Sequence, residues 1–117
     1  MKEIIMKKYH YTYEIENTLI PDGLDEPKYY IGVRSCDCLP EEDIKYMGTS
    51  TTLSRAMTGG MQIYFKKTIL NIFQTRKEAE QHEIDMHAEL DVQANPNFYN
   101  LQNASLEFKY DSTGRPA

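Results

Sequence analysis

From Tyr9 to Glu16 the chain alternates, with Tyr9, Tyr11, Tyr13 and Ile15 on one parity and polar residues between them. Period 2 marks a strand with one buried face. Asn17 to Lys28 follows with Pro21-Asp22-Gly23 and Pro27, which punctuate a turn or short loop. Tyr29 to Val33 reads as a second strand, so the two runs predict an antiparallel hairpin. Asp37 to Lys45 is polar and contains Pro40, which predicts a connecting loop.

Between Ser50 and Met57, Leu53 and Met57 lie four apart behind Ser and Thr capping candidates, and Gly59-Gly60 can close the element. That pattern predicts a short helix. Gln62 to Phe73 is apolar and β-branched enough for a third strand, interrupted by Lys66 and Lys67. The clearest helix start is Thr75-Arg76-Lys77-Glu78, a Thr with Glu three residues on, which fits a capping box. Ala79, Glu83, Met86 and Leu90 then recur at helical spacing on one face. Glu83 therefore shares the stripe expected to face the protein, unlike Glu80, Asp85 or Glu89 on other faces, and an unpaired carboxylate there is costly. Asn95-Pro96-Asn97 is expected to end the helix and lead into Phe98 to Leu101, and Asp111 to Ala117 reads as a loose tail.

At 117 residues, 40% of them hydrophobic, the chain suffices for one core. No apolar run approaches the roughly 18 residues of a membrane span, and the apolar stretch within Met1 to Lys8 is too short for a signal peptide. A soluble, intracellular protein is expected. The two cysteines, Cys36 and Cys38, stand one residue apart and cannot staple distant segments, which fits a reducing compartment.

A net charge of −5 argues against a surface that grips phosphates everywhere. The excess is local: residues 1 to 70 hold nine Lys and Arg against ten Asp and Glu, whereas residues 71 to 91 hold two against six. Arg34, Arg55, Lys66 and Lys67 remain available for a local phosphate site. Tyr, Arg and Glu brought together by a hairpin and one helix are groups that can activate water, hold a phosphate and bind a divalent metal.

The ordered set Tyr11-Thr12-Tyr13, Tyr30-Ile31-Gly32, Leu53-Ser54-Arg55-Ala56, Phe65 through Leu70, Glu83 and Tyr99-Asn100 resembles the catalytic domain of GIY-YIG endonucleases. It is most similar to small phage-encoded, homing-endonuclease-like members, in which Tyr-Ile-Gly-Val runs into an element like Tyr46-Met47-Gly48-Thr49-Ser50. The likeness spans residues 9 to 101. It implies an α+β fold, a small three-stranded antiparallel sheet flanked by helices, with a nuclease domain over 1–101 and a C-terminal extension over 102–117. It also implies hydrolysis of DNA phosphodiesters with one divalent cation, Mg²⁺ or Mn²⁺, in the cytoplasm of a bacterial host if the chain is phage-encoded.

Residue by residue, the resemblance matches Tyr13 and Tyr30 to the tyrosines of the two half-motifs, Glu83 to the metal-binding glutamate and Asn100 to an asparagine that supports the site. Arg34 and Arg55 are both candidates for the catalytic arginine, with Arg34 favoured because it shares a strand with Tyr30. Tyr11-Thr12 stands where the family has Gly-Ile, a departure in the residues packed before the first tyrosine.

Glu83 would hold the cation through hard oxygens, an arginine would meet charge on the phosphate, and Tyr13 would serve as general base while Tyr30 orients water or substrate. A phenol titrates near ~10 and needs nearby positive charge for that task at neutral pH. Plainer readings stand beside these: tyrosines packed as core, Arg55 paired with a carboxylate of the acidic helix, Glu83 bridging Arg or Tyr structurally, Asn100 as a loop hydrogen-bonder. His82 and His87, five apart, are expected on the surface and His10 on a strand face. Cys36 and Cys38 lack two further ligands nearby, which argues against zinc. A catalytically weak or inactive module for binding or regulation is the alternative function. With about 16 residues after Leu101, sequence specificity for DNA would come from the domain itself, a dimer or a separate recognition partner, or be low.

Overall fold

The structure, a computed structural model, describes residues 7–105; the N-terminal six residues and the tail from 106 onward, including the segment expected to be loose, lie outside them. Three antiparallel strands, β1 (Tyr9–Asn17), β2 (Lys28–Cys36) and β3 (Phe65–Phe73), form a sheet in the order β2-β1-β3. Helices α1 (Thr51–Ala56) and α2 (Arg76–Leu90) accompany it, with single 3-10 turns at Pro40–Glu42 and Met61–Tyr64. The expected α+β architecture and the β1–β2 hairpin are present. β2 runs three residues beyond Val33, to Cys36, and the segment Met61–Tyr64 coils before β3 begins at Phe65.

The period-2 pattern of β1 holds at Tyr11, Tyr13 and Ile15, whereas Thr12 on the opposite face is buried as well and Tyr9 is half-buried. Tyr11, Tyr13 and Ile15 are buried together with Leu53, Phe65, Tyr99 and Cys36, while Tyr30, Tyr46, Met47 and Ile69 pack against them. Register fixes the neighbours: Tyr13 lies opposite Gly32, Tyr11 opposite Arg34 and Ile15 opposite Tyr30. On the other side Tyr13 faces Ile69 and Thr12 faces Asn71, so a bulge falls between Thr12 and Tyr13. A bulge locally re-aims the side chains beside it, and here it sits at the tyrosine the sequence singles out.

Helix α1 starts as predicted, with Ser50 accepting the Leu53 amide, and buries Leu53. α2 begins at the Thr75 cap, whose hydroxyl accepts the Glu78 amide at 3.2 Å. Its far end differs from expectation. The helix stops at Leu90, and Asp91 takes a left-handed conformation (φ 46°), several residues before Asn95-Pro96-Asn97.

The buried face of α2 also differs. Ala79 and Glu83 are buried, but Glu80 and His87 join them, while Leu90 is exposed and Met86 only half-buried. Glu80 is therefore not on a solvent face; it accepts from Arg76 at 2.8 Å. His87 is not a surface residue, and half-buried His82 bonds Thr12 at 2.8 Å through Nδ1 and Oγ1. Polar groups fill this stripe because they have backbone and side-chain partners to meet, which offsets the desolvation that would otherwise exclude them.

The outer edge of β2 is covered. Tyr29 donates to the Asn97 carbonyl and accepts from the Tyr99 amide, both at 2.7 Å, a short parallel bridge centred on Phe98. An open edge is thereby closed, and Asn100 is delivered beside Ile31. Past Leu101, Asn103 donates to Asp91 and accepts from the Gln93 amide, and the Ala104 amide donates to His87. Among the described residues no helix is long and apolar enough to cross a membrane.

Candidate active site

Tyr13 occupies the centre of the tyrosine cluster and is 1% exposed. Its ring lies 5.9 Å from Tyr11, 6.2 Å from Tyr30 and 5.7 Å from Tyr46, the Tyr11 and Tyr46 pairs in edge-to-face arrangements. Such pairs add to burial through the ring quadrupoles. Two glycines leave room for its hydroxyl. A Cβ at Gly32 would overlap the Tyr13 hydroxyl, and one at Gly48 would stand 3.1 Å from it. Gly48 also holds φ +89°, a conformation that disfavours other residues.

Glu83 reaches the same place from α2. It is 6% exposed, and with Tyr30 it lines two adjoining cavities. The smaller, about 340 Å³, is completed by Tyr13, Arg34, Tyr46 and Arg76 among others. The larger, about 620 Å³, is lined by Ser50, Thr51, His87 and Asn100 as well. The structure thus brings Tyr13, Tyr30, Arg34 and Glu83 into one cleft and sets Asn100 behind Tyr30 and Glu83.

Arg55 is not among the residues lining either cavity. It is exposed on α1, about one helical turn beyond Thr51, which lines the larger cavity. Arg34 is the arginine at the phenols. Its Nε donates to Asp43 Oδ2 at 3.1 Å, and its guanidinium stacks 4.0 Å from the Tyr46 ring centre.

Asn100 has a defined task. Its Oδ1 accepts the Ile31 amide at 3.1 Å and its Nδ2 donates to the Ile31 carbonyl at 2.8 Å, so one side chain satisfies both backbone groups next to Tyr30. His87 reinforces the clamp, with Nε2 at 2.9 Å from the same carbonyl and Nδ1 accepting the Ala104 amide at 2.8 Å. The two bonds are met together by the tautomer protonated at Nε2. In that tautomer the 4.0 Å approach of Glu83 Oε2 to His87 Nε2 is not an ion pair.

Beside the phenols lies a network that joins Tyr11 and Lys67 through Asp43, a residue the sequence did not single out. Tyr11 donates to Asp43 Oδ2 at 2.6 Å, and Lys67 Nζ donates to the Tyr11 hydroxyl at 2.6 Å and to the Asp43 carbonyl at 2.8 Å. The Lys67 ammonium stands 4.8 Å from the Tyr11 ring centre and 5.3 Å from those of Tyr13 and Tyr46. Lys67 is opposite Ile15 on β3 and so shares the tyrosine face of the sheet. The strand parity of Phe65, Lys67 and Ile69 was the available signal. Asp43 carried none, being one acid of four in the polar loop Asp37 to Lys45.

These contacts set the proton affinities. Burial, then the Tyr30 and Tyr46 phenols and the Glu83 carboxylate, push the Tyr13 phenol far above its ordinary range. Burial pushes Tyr30 up to about 12, helped by Glu83 and Tyr46 and opposed by a hydrogen bond from Tyr13. Burial and the Asp43 hydrogen bond raise Tyr11 as well. Burial works to raise the Asp43 carboxyl, but hydrogen bonds from Tyr11 and Arg34 and the charges of Arg34 and Lys67 outweigh it and hold the group below the usual range. Burial lowers Lys67, which Asp43 partly offsets.

A single buried carboxylate among phenols suits Mg²⁺ or Mn²⁺ better than zinc. Magnesium takes one or two protein carboxylates and completes its shell with water and phosphate oxygens. Glu83 is a carboxylate that could hold such an ion, and the 620 Å³ cavity it lines has room for water and phosphate oxygens. Comparison with protein-family models, curated proteins and solved structures gives no match for this chain.

Proposed function

We propose that this protein is a divalent-metal-dependent DNA endonuclease of the GIY-YIG kind, hydrolysing phosphodiester bonds by activated water. The observation that carries the reading is the meeting of Tyr13, Tyr30, Arg34 and Glu83, from two strands and a helix, in one cleft of about 340 Å³. Packing alone accounts for each phenol, but not for a buried carboxylate and an arginine opening on the same space.

Glu83 would hold the cation, whose positive charge supports the phosphate and favours loss of a proton from water or phenol. Tyr13 would act as the phenolate, its own proton released to solvent under the charge of the cation. It would take the water proton as the water oxygen attacks phosphorus and the P–O bond to the departing sugar oxygen breaks, that oxygen taking a proton from solvent, while Tyr30, which lines both cavities, orients the water. Arg34, fixed by Asp43 and Tyr46, presents its remaining N–H donors to the phosphate oxygens. Arg55, exposed on α1 outside both cavities, would meet a flanking phosphate rather than the scissile one. Asn100 and His87 hold Ile31, and with it the backbone that carries Tyr30 and Gly32. Proton acceptance by Tyr13 is the step that depends most on added positive charge, because the surroundings favour the neutral phenol.

The test is plasmid cleavage in Mg²⁺ or Mn²⁺. Conversion of supercoiled to nicked or linear DNA, stopped by a chelator, supports the assignment. No cleavage under any divalent condition supports a binding or regulatory module instead.

A further inference from the structure

Cys36 and Cys38, which the cleft chemistry does not use, meet Asp43, the carboxylate that holds Arg34. The sulfurs of Cys36 and Cys38 and a carboxylate oxygen of Asp43 all lie within 4.8 Å of one another. Cys36 closes β2 and is buried, and its thiol donates to the Cys38 carbonyl at 3.1 Å, which folds Cys38 back over it. Sequence spacing left the pair short of ligands; Asp43, five residues beyond Cys38, supplies one. We propose that Cys36, Cys38 and Asp43 form a binding site for a thiophilic divalent cation of the zinc class, with water as the fourth ligand.

The donor set decides the class. Two thiolates select zinc-like ions over magnesium or calcium. Zinc with ligands at about 2.0 to 2.3 Å places them roughly 3.5 to 3.8 Å apart in a tetrahedron, so closing the present cluster needs a movement on the order of 1 Å, within reach of the exposed Cys38. Asp43 is already oriented, since Tyr11 and Arg34 both bond its Oδ2. Ligating carboxylates are characteristically held in this way, and Oδ1 takes part in neither of these bonds. Arg34 and Lys67, both bonded to Asp43, put two positive charges beside that carboxylate. The bound ion would tie the segment 37–43 to the end of β2. This inference does not depend on nuclease activity, and the ion differs in class and place from one held by Glu83.

Cadmium is the probe, added to the full chain in the presence of a phosphine reductant. The expected result is a thiolate-to-cadmium charge-transfer band that saturates at a single equivalent. The band is lost in Cys38→Ser, needs more cadmium in Asp43→Asn, and is unchanged in Glu83→Ala. Circular dichroism checks that Cys38→Ser keeps its fold, as expected for an exposed side chain. Absence of the band in the wild-type protein, or its survival undiminished in Cys38→Ser, would overturn the proposal.

Discussion

Tyr13 and Gly32 face each other across β1 and β2, and the hydroxyl of one occupies the space where a side chain of the other would be. The ring cannot retreat, because Gly48, Tyr30 and Tyr46 close the remaining sides. Gly32→Ala should therefore destabilise the domain by about 1–3 kcal/mol, the usual range for overpacking a filled core. The hydroxyl is the nearest atom, so the penalty should shrink in a Tyr13→Phe background. Urea unfolding of the two single variants and the double variant measures this coupling; strict additivity would show that the contact is not the cause.

Asn100→Ala removes both partners that one side chain gives Ile31, leaving a buried amide without its acceptor while His87 still bonds the carbonyl. A loss of about 1–3 kcal/mol is expected for an unsatisfied buried group. Amide exchange at Ile31 should accelerate in the variant. Unchanged protection there would mean that the clamp has been misread.

Alkaline pH should weaken the fold before any of the buried phenols titrates. The folded-state pKa values of Tyr11, Tyr13 and Tyr30 are raised above the ordinary phenol value. From about pH 10 upward the unfolded chain releases these protons and the folded chain keeps them. The stability they contribute is thus complete below pH 10 and falls as pH rises toward the folded values, about 12 for Tyr30. Denaturation midpoints taken between about pH 8 and about pH 11 check the sign. A midpoint that rises over this range would contradict it.

The two arginines should separate kinetically. Arg34→Ala should lower kcat by about 10²–10³-fold, as removal of a fixed donor to the reacting group does. Arg55→Ala should instead raise KM with kcat nearly intact, since a contact made away from the reacting group binds ground and transition states alike. Steady-state cleavage of a short duplex distinguishes them. The reverse pattern would move the phosphate clamp to α1.

Local signals carried the elements: β1 alternates, Thr75 and Ser50 cap as their spacing predicts, and Glu83 is buried where helical periodicity puts it. What stayed hidden was long-range. His87 is buried because Ile31 and Ala104 need partners, and Asp43 matters because Tyr11, Arg34 and Lys67 converge on it across 32, 9 and 24 residues. Hydrophobicity pointed to Met86 and Leu90 instead, since a polar residue's burial depends on partners that only the folded chain brings near. The early stop of α2 at Asp91 gave no glycine to read.

The carboxylate of Glu83 is the group on which the proposed chemistry turns. Cleavage of supercoiled plasmid in Mg²⁺ by wild-type protein and by Glu83→Ala, each first shown to be folded by circular dichroism, tests it most directly. Metal-dependent cutting by the wild type, with none above background in the variant, is the result predicted. Equal rates from the two proteins would contradict the account.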